Sequence, residues 1–129
     1  MLWKKIIGYY WKSLFITSII IYGCLLRKPV YTLPPIENGD KWTHGLAFMV
    51  LTIILFLDGS KMKLESPKKW AITICFPIIL GGVIEFLQEK FFFPRTGEWI
   101  DWLADCIGMF AGTLFLYLMT KLYERRMAQ

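Results

Sequence analysis

Three ionisable side chains interrupt long apolar stretches of the sequence: His44, Glu85 and Asp105. An imidazole and two carboxylates can transfer protons, bind a cation or hydrogen-bond a polar ligand. Ionisable groups in apolar surroundings are costly and normally face an interior where they have partners. We therefore expect the three residues to share one polar site, if the elements that carry them converge.

Other polar residues close to these three are predicted to belong to the same site. They are Asp40, Lys41, Gln88, Arg95 and Asp101. Lys41, Arg95 and Asp101 are candidate ligand contacts together with the amide of Gln88, whereas Asp40 is assigned a structural role. Three plainer interpretations stay open. Lys41 and Asp40 form an interfacial pair, His44 only hydrogen-bonds a neighbouring helix, or Glu85 forms a buried ion pair with Arg95 or Lys41 that only fixes helix positions.

The elements that position these residues are predicted to be transmembrane helices. Of the 129 residues, 56% are hydrophobic and 17% are aromatic, which excludes intrinsic disorder. Four apolar segments approach the roughly 20 residues that a helix needs to cross about 30 Å of hydrocarbon. They cover about residues 6–26, 41–57, 70–88 and 101–120. The predicted fold class is all-α, with residues 1–129 forming one domain, a four-transmembrane-helix bundle.

Two other interpretations of the apolar segments fit less well. A soluble four-helix bundle would carry a polar stripe along each helix, yet residues 13–26 and 106–120 are apolar on every side. A cleaved secretory signal is disfavoured because Lys12 interrupts the first run and small residues are missing at cleavage spacing. Cys24, Cys75 and Cys106 stand singly in apolar runs, so a disulfide scaffold is not expected.

The distribution of basic residues predicts the orientation. The amino end through Lys12, the 58–69 loop and the tail from Lys121 hold 10 Lys and Arg, whereas segments 27–41 and 89–101 hold 5. The positive-inside rule therefore places both termini in the cytoplasm. Anionic membrane lipid is then the expected partner of the basic residues that give the chain its net charge of +5, and nucleic acid is not.

Counting along the helices places the candidate residues at one depth. From Trp70 at the inner boundary, a rise of about 1.5 Å per residue puts Glu85 about 8 Å below the outer boundary. Asp105 reaches about 7–8 Å from the other direction, and His44 lies just inside the start of the second helix. Three helices should thus deliver ionisable groups to one polar pocket near the outer leaflet.

Helical spacing predicts how the fourth helix packs. Asp101 and Asp105 share a narrow stripe with Gly108 and Gly112, which together form a small-residue surface of the Gly-x-x-x-Gly type. We expect this helix to be central, with the glycines in a structural role, and the glycine face could also support oligomerisation. In the third helix, Pro77 makes a kink plausible.

Aromatic residues mark the predicted outer interface. The segment Phe91-Phe92-Phe93-Pro94-Arg95 is too apolar for an ordinary exposed loop, so it should lie in the interface between the third and fourth helices and hold Arg95 above the pocket. Tryptophans 42, 99 and 102 are predicted to form an aromatic belt.

The polar residues also form an ordered set of motifs. These are Asp40-Lys41-x-x-His44-x-x-x-Phe48, Glu85-x-x-Gln88, Arg95, and Asp101-x-x-x-Asp105-x-x-Gly108-x-x-x-Gly112. This pattern, over residues 40 to 112, resembles the VanZ-like membrane proteins; one departure is Asp105, where many relatives carry Asn. The resemblance implies a multi-pass protein of the bacterial cytoplasmic membrane, associated with low-level resistance to the glycopeptide teicoplanin. The resemblance does not indicate that the protein catalyses any particular reaction.

Two function classes follow, and binding is preferred because no nucleophile motif supports catalysis. In the first, the pocket binds the polar head of an amphiphile, such as a glycopeptide antibiotic or a lipid-linked cell-wall component. In the second, Glu85 or Asp105 acts with His44 as general acid or base on a lipid-linked substrate, and Arg95 stabilises an oxyanion. Coupled transport is less favoured because four helices leave little room for alternating access.

No cofactor is predicted. A single histidine and the absence of a thiolate at ligand spacing argue against a metal site. The weaker alternative is a divalent ion held by His44, Glu85 and Asp105, a set of one imidazole and two carboxylates.

Overall fold

The protein is built from four long helices. The computed structural model describes residues 1–26, 39–92 and 97–129, and all regular structure in these ranges is helical. The helices are α1 (Leu2–Ile21, continued by a π-helical turn at Tyr22–Leu26), α2 (Gly39–Lys61), α3 (Ser66–Phe91) and α4 (Trp99–Met127). All four are long and apolar enough to cross a membrane. The all-α prediction is confirmed. Helices α2, α3 and α4 extend beyond their predicted bounds at both ends, whereas α1 does so only at its amino end.

Polar side chains share the interior of the bundle with an apolar core, and large apolar side chains also cover its exterior. The buried polar side chains are Ser13, Thr17, Thr52, Asp58, Thr73, Glu85, Gln88 and Asp105. Large apolar side chains such as Ile79, Ile107 and Phe110 are more than half exposed along the middle of the helices. A soluble domain rarely exposes so much contiguous apolar surface, so this distribution is that of a multi-pass membrane protein.

Helix α2, rather than α4, is central. It contacts α1, α3 and α4, whereas α4 packs mainly on α2 and α3. Phe48, Leu51 and Leu55 of α2 recur on one helical face and join Ile20 and Ile84 in the apolar core. The prediction of a central α4 was wrong. The glycine stripe of α4 allows close approach to one neighbouring helix, and it does not indicate contact with all of the others. Helix α3 runs through Pro77, and the kink there stays a prediction.

A buried aspartate joins α1 to α2 at the end of the bundle where α2 finishes. Asp58 was expected in an inner loop, but it lies inside α2 and is only 1% exposed. Its Oδ2 accepts hydrogen bonds from the hydroxyl of Ser13 at 2.8 Å and from the Ser13 backbone N–H at 3.2 Å. The predicted helix ends before Asp58 because the apolar run stops there. In the structure, the hydrogen bonds to Ser13 of α1 stabilise the Asp58 carboxylate inside α2.

We expect Ser13→Ala to lower the free energy of unfolding by about 1.5–3 kcal/mol, because it removes a hydrogen bond to a buried charged acceptor. Ser18→Ala is the matched control, since the exposed Ser18 hydroxyl bonds only to the Leu14 carbonyl of its own helix. Unfolding in mixed detergent micelles, followed by circular dichroism, measures both variants. Equal stability of the two would contradict a stabilising role for the Ser13–Asp58 bond.

Candidate functional site

Three helices bring His44, Glu85 and Asp105 together at one end of the bundle. His44 and Asp105 lie in the second turns of α2 and α4, and Glu85 lies near the carboxyl end of α3. One possible ligand atom from each residue lies within 4.8 Å of the others. Counting helical rise thus located a real cluster, which we call the triad. We call the end of the bundle that holds it the triad end.

A close approach of α2 and α4 positions two members of the triad. His44 Nδ1 and Asp105 Oδ1 are 3.0 Å apart. A Cβ atom on Gly108 would overlap the carbonyl oxygen of Gly45, and one on Gly112 would lie 3.0 Å from the carbonyl oxygen of Met49. A side chain does not fit at Gly108, and Gly112 leaves little room for one. The predicted glycine face is therefore buried within the chain, against α2.

Glu85 is held by the segment that begins α4. Its Oε2 accepts a hydrogen bond of 2.8 Å from the backbone N–H of Glu98. Gly97 lies directly against the backbone carbonyl of Glu85, where a side chain would not fit. The carboxylate also lies near the amino end of α4, where the helix dipole favours negative charge. This contact fixes the carboxylate while the chain crosses from α3 to α4.

Two acceptor atoms of the triad have no hydrogen-bond partner in the described chain. They are Glu85 Oε1 and Asp105 Oδ2, and the two side chains are 3% and 1% exposed. Gly81 makes room for Asp105, because a Cβ atom there would lie 2.8 Å from Oδ2. An unsatisfied buried polar group costs about 1–3 kcal/mol. Buried acceptors of this kind are characteristic of sites that take a proton, a water or a ligand.

Trp102 contributes to the site in a way that the sequence analysis missed. It was placed in an aromatic belt, but its indole lies between α3 and α4 and donates a hydrogen bond of 3.1 Å to the Ile78 carbonyl. Gly81 and Gly82 border the ring and leave space for it. The adjacent glycines were the available clue. Trp42 and Trp99 are 72% and 70% exposed, as expected of belt residues.

The predicted ligand contact Gln88 has a partner within the protein. Its side-chain N–H donates a hydrogen bond of 2.7 Å to the carbonyl of Cys24. Cys24 lies in the π-helical turn that ends α1. The amide therefore links α3 to α1, and this geometry favours a structural role for the Gln88 amide nitrogen.

The remaining candidates lie at or near the same end. Lys41 and Asp101 are partly buried in the first turns of α2 and α4, and Asp40 is exposed. Arg95 lies outside the described residues, as do Phe93 and Pro94 of the aromatic segment. Phe91 is exposed at the end of α3.

Comparisons with known proteins give no family assignment. No family model, no curated protein and no solved structure matches the chain. The resemblance to the VanZ-like proteins stays a prediction that rests on the motifs of the sequence.

The triad has the chemistry for three tasks. The His44–Asp105 pair can pass a proton between two helices, the carboxylate oxygens can accept hydrogen bonds from a polar ligand, and all three residues can coordinate a cation. A neighbouring hydroxyl, that of Thr43, donates to the Gly39 carbonyl of its own helix. The geometry is that of a binding or acid–base site.

Proposed function

We propose that this chain is a VanZ-like protein of the bacterial cytoplasmic membrane that binds the polar head of an amphiphile at the triad end. The ligand would be a glycopeptide antibiotic of the teicoplanin type or a lipid-linked cell-wall component. The observation that carries this proposal is the convergence of two buried carboxyl groups and one partly buried imidazole, with two carboxylate oxygens that have no partner among the described residues. Hydroxyl and amide groups of a glycosylated head are suitable donors to these oxygens.

The depth of the triad suits a ligand that is partly embedded in lipid. His44, Glu85 and Asp105 each lie only one or two turns from the end of a helix. A head group could reach them from the interface while its acyl chain stays beside the exposed apolar surface of the bundle. The excess of Lys and Arg near the opposite end supports an outward-facing triad, with both termini in the cytoplasm.

The binding proposal predicts that Glu85→Gln weakens teicoplanin resistance in a host that depends on this protein. The substitution replaces one oxygen of a buried carboxyl group with an amide nitrogen, which donates instead of accepting, and losing one hydrogen bond of about 1.5 kcal/mol weakens binding roughly tenfold. Minimal inhibitory concentrations should therefore fall toward those of cells that lack the protein.

Glu65→Gln is the matched control, because Glu65 is an exposed residue at the opposite end that pairs with Lys68. Immunoblots of membrane fractions establish equal expression. Resistance that is unchanged in Glu85→Gln at equal expression would refute the binding proposal.

A second candidate, an intramembrane acid–base enzyme, is favoured by the His44–Asp105 contact of 3.0 Å. A carboxylate that fixes the orientation of an imidazole is a common arrangement for general-base catalysis. Mass spectrometry of lipid-linked cell-wall intermediates incubated with the purified protein decides between the two. Substrates recovered unchanged favour binding.

A further inference from the structure

We propose that the triad is a binding site for one divalent transition-metal ion of the Zn²⁺ type. Binding of the ion does not depend on the function proposed above.

The donor set has the composition of a metal site. His44 offers an imidazole nitrogen, and Glu85 and Asp105 each offer a carboxylate oxygen, from three different helices. Imidazole with carboxylate favours Zn²⁺ and its first-row neighbours, whereas Mg²⁺ and Ca²⁺ prefer oxygen ligands alone. Three protein ligands also leave one tetrahedral position open for water or a ligand group.

The spacing of the donors is close to that of a coordinated ion. Two ligands about 2.1 Å from a tetrahedral ion lie about 3.4 Å apart. His44 Nδ1 and Asp105 Oδ1 are already 3.0 Å apart, and the ligand atoms of all three residues lie within 4.8 Å of one another. The three donors therefore lie close enough together for one ion to bridge them.

The burial of the donors is the independent observation that points to an ion. Glu85 Oε1 and Asp105 Oδ2 are buried acceptors without hydrogen-bond partners, and the side chains that carry them are almost fully enclosed. A structural ion pair would normally satisfy such atoms. A divalent cation between Glu85 and Asp105 would give each carboxylate a partner and offset the negative charge of both.

The residues around the triad have the features of an outer coordination shell. Outer-shell hydrogen bonds orient metal ligands and are needed for full affinity. The Glu98 N–H holds the second oxygen of Glu85, and the Trp102 indole, fixed on the Ile78 carbonyl, borders Gly81 beside Asp105. Side-chain motion at the site is thereby restricted.

Metal binding to the full chain in detergent tests the proposal. Protein is stripped with a chelator and titrated with Zn²⁺ by calorimetry, and bound metal is counted by mass spectrometry after desalting. We expect one ion per chain, with affinity reduced at least tenfold in Glu85→Gln and in Asp105→Asn. Glu65→Gln should bind like the unmodified protein, because its carboxylate is exposed on the surface at the opposite end.

Two further measurements keep the test decisive. Circular dichroism and monodisperse elution from a sizing column show whether each variant is folded. If Asp105→Asn does not fold, the metal affinity of Glu85→Gln alone decides the test. Substituted Co²⁺ should give an absorption spectrum of nitrogen and oxygen ligation without thiolate bands, which separates the triad from Cys106. Failure of the unmodified protein to bind one ion, or equal binding by Glu85→Gln, would overturn the metal site. Either result leaves the antibiotic assay to judge ligand binding separately.

Discussion

Replacing Gly108 with alanine is expected to unfold or loosen the bundle and to remove metal and ligand binding together. The added Cβ would overlap the Gly45 carbonyl oxygen, which is backbone and cannot rotate away. Overpacking of this kind typically costs 1–3 kcal/mol, and more when backbone must move; we expect about 3 kcal/mol. Separating α2 from α4 also pulls His44 from Asp105. Thermal unfolding in detergent measures the loss.

Two glycines provide the control for this substitution. A Cβ atom on Gly8 or on Gly23 would meet no other atom within 4 Å. Gly8→Ala should be neutral or slightly stabilising, because alanine is favoured over glycine in a helix by up to about 1 kcal/mol. If Gly108→Ala unfolds at the same temperature as Gly8→Ala and the unmodified protein, α2 and α4 do not pack as described.

The convergence of the triad could be predicted because helices are regular. A fixed rise per residue gives the depth of Glu85 and Asp105, and a fixed rotation gives their faces. Neither regularity says which helix packs against which. The stripe of Gly108 and Gly112 was recognised, but its partner, Gly45 on α2, has no distinctive pattern of its own. The central position of α2 was missed for this reason.

Hydrogen bonds between a side chain and the backbone of a distant residue also could not be predicted from the sequence. Gln88 was assigned to the correct end of the bundle, but its hydrogen bond to Cys24 depends on the π-helical turn that ends α1. Asp58 follows an apolar run and precedes a glycine, which is typical of a helix end. It is instead buried in α2 because Ser13, 45 residues away, supplies two donors. Periodicity carries no information about such partners.

The other large effect is expected at the His44–Asp105 pair. Asp105→Leu leaves the imidazole partly buried without its partner, and His44→Leu leaves a buried carboxylate without its hydrogen bond. Leaving a buried polar group without its hydrogen-bond partner costs about 1–3 kcal/mol, and more if the group is charged. Replacing both members with leucine removes the unpaired group, so the double variant should be more stable than either single variant.

A double-mutant cycle on the free energy of unfolding measures this coupling, which we expect to be about 2–3 kcal/mol. The exposed pair Lys121–Glu124, 3.2 Å apart at the opposite end, is the control, with an expected coupling below about 1 kcal/mol. Additive single effects at His44 and Asp105 would refute the coupling.

The double variant also separates stability from function. Apolar residues at positions 44 and 105 would pack in a lipid-embedded bundle without burying polar groups, so a fold selected only for stability has no need of the pair. A natural chain retains such groups where function depends on them. We therefore expect His44→Leu/Asp105→Leu to remain folded and to bind neither Zn²⁺ nor teicoplanin. If the folded double variant still bound Zn²⁺ and teicoplanin, His44 and Asp105 would not belong to the functional site.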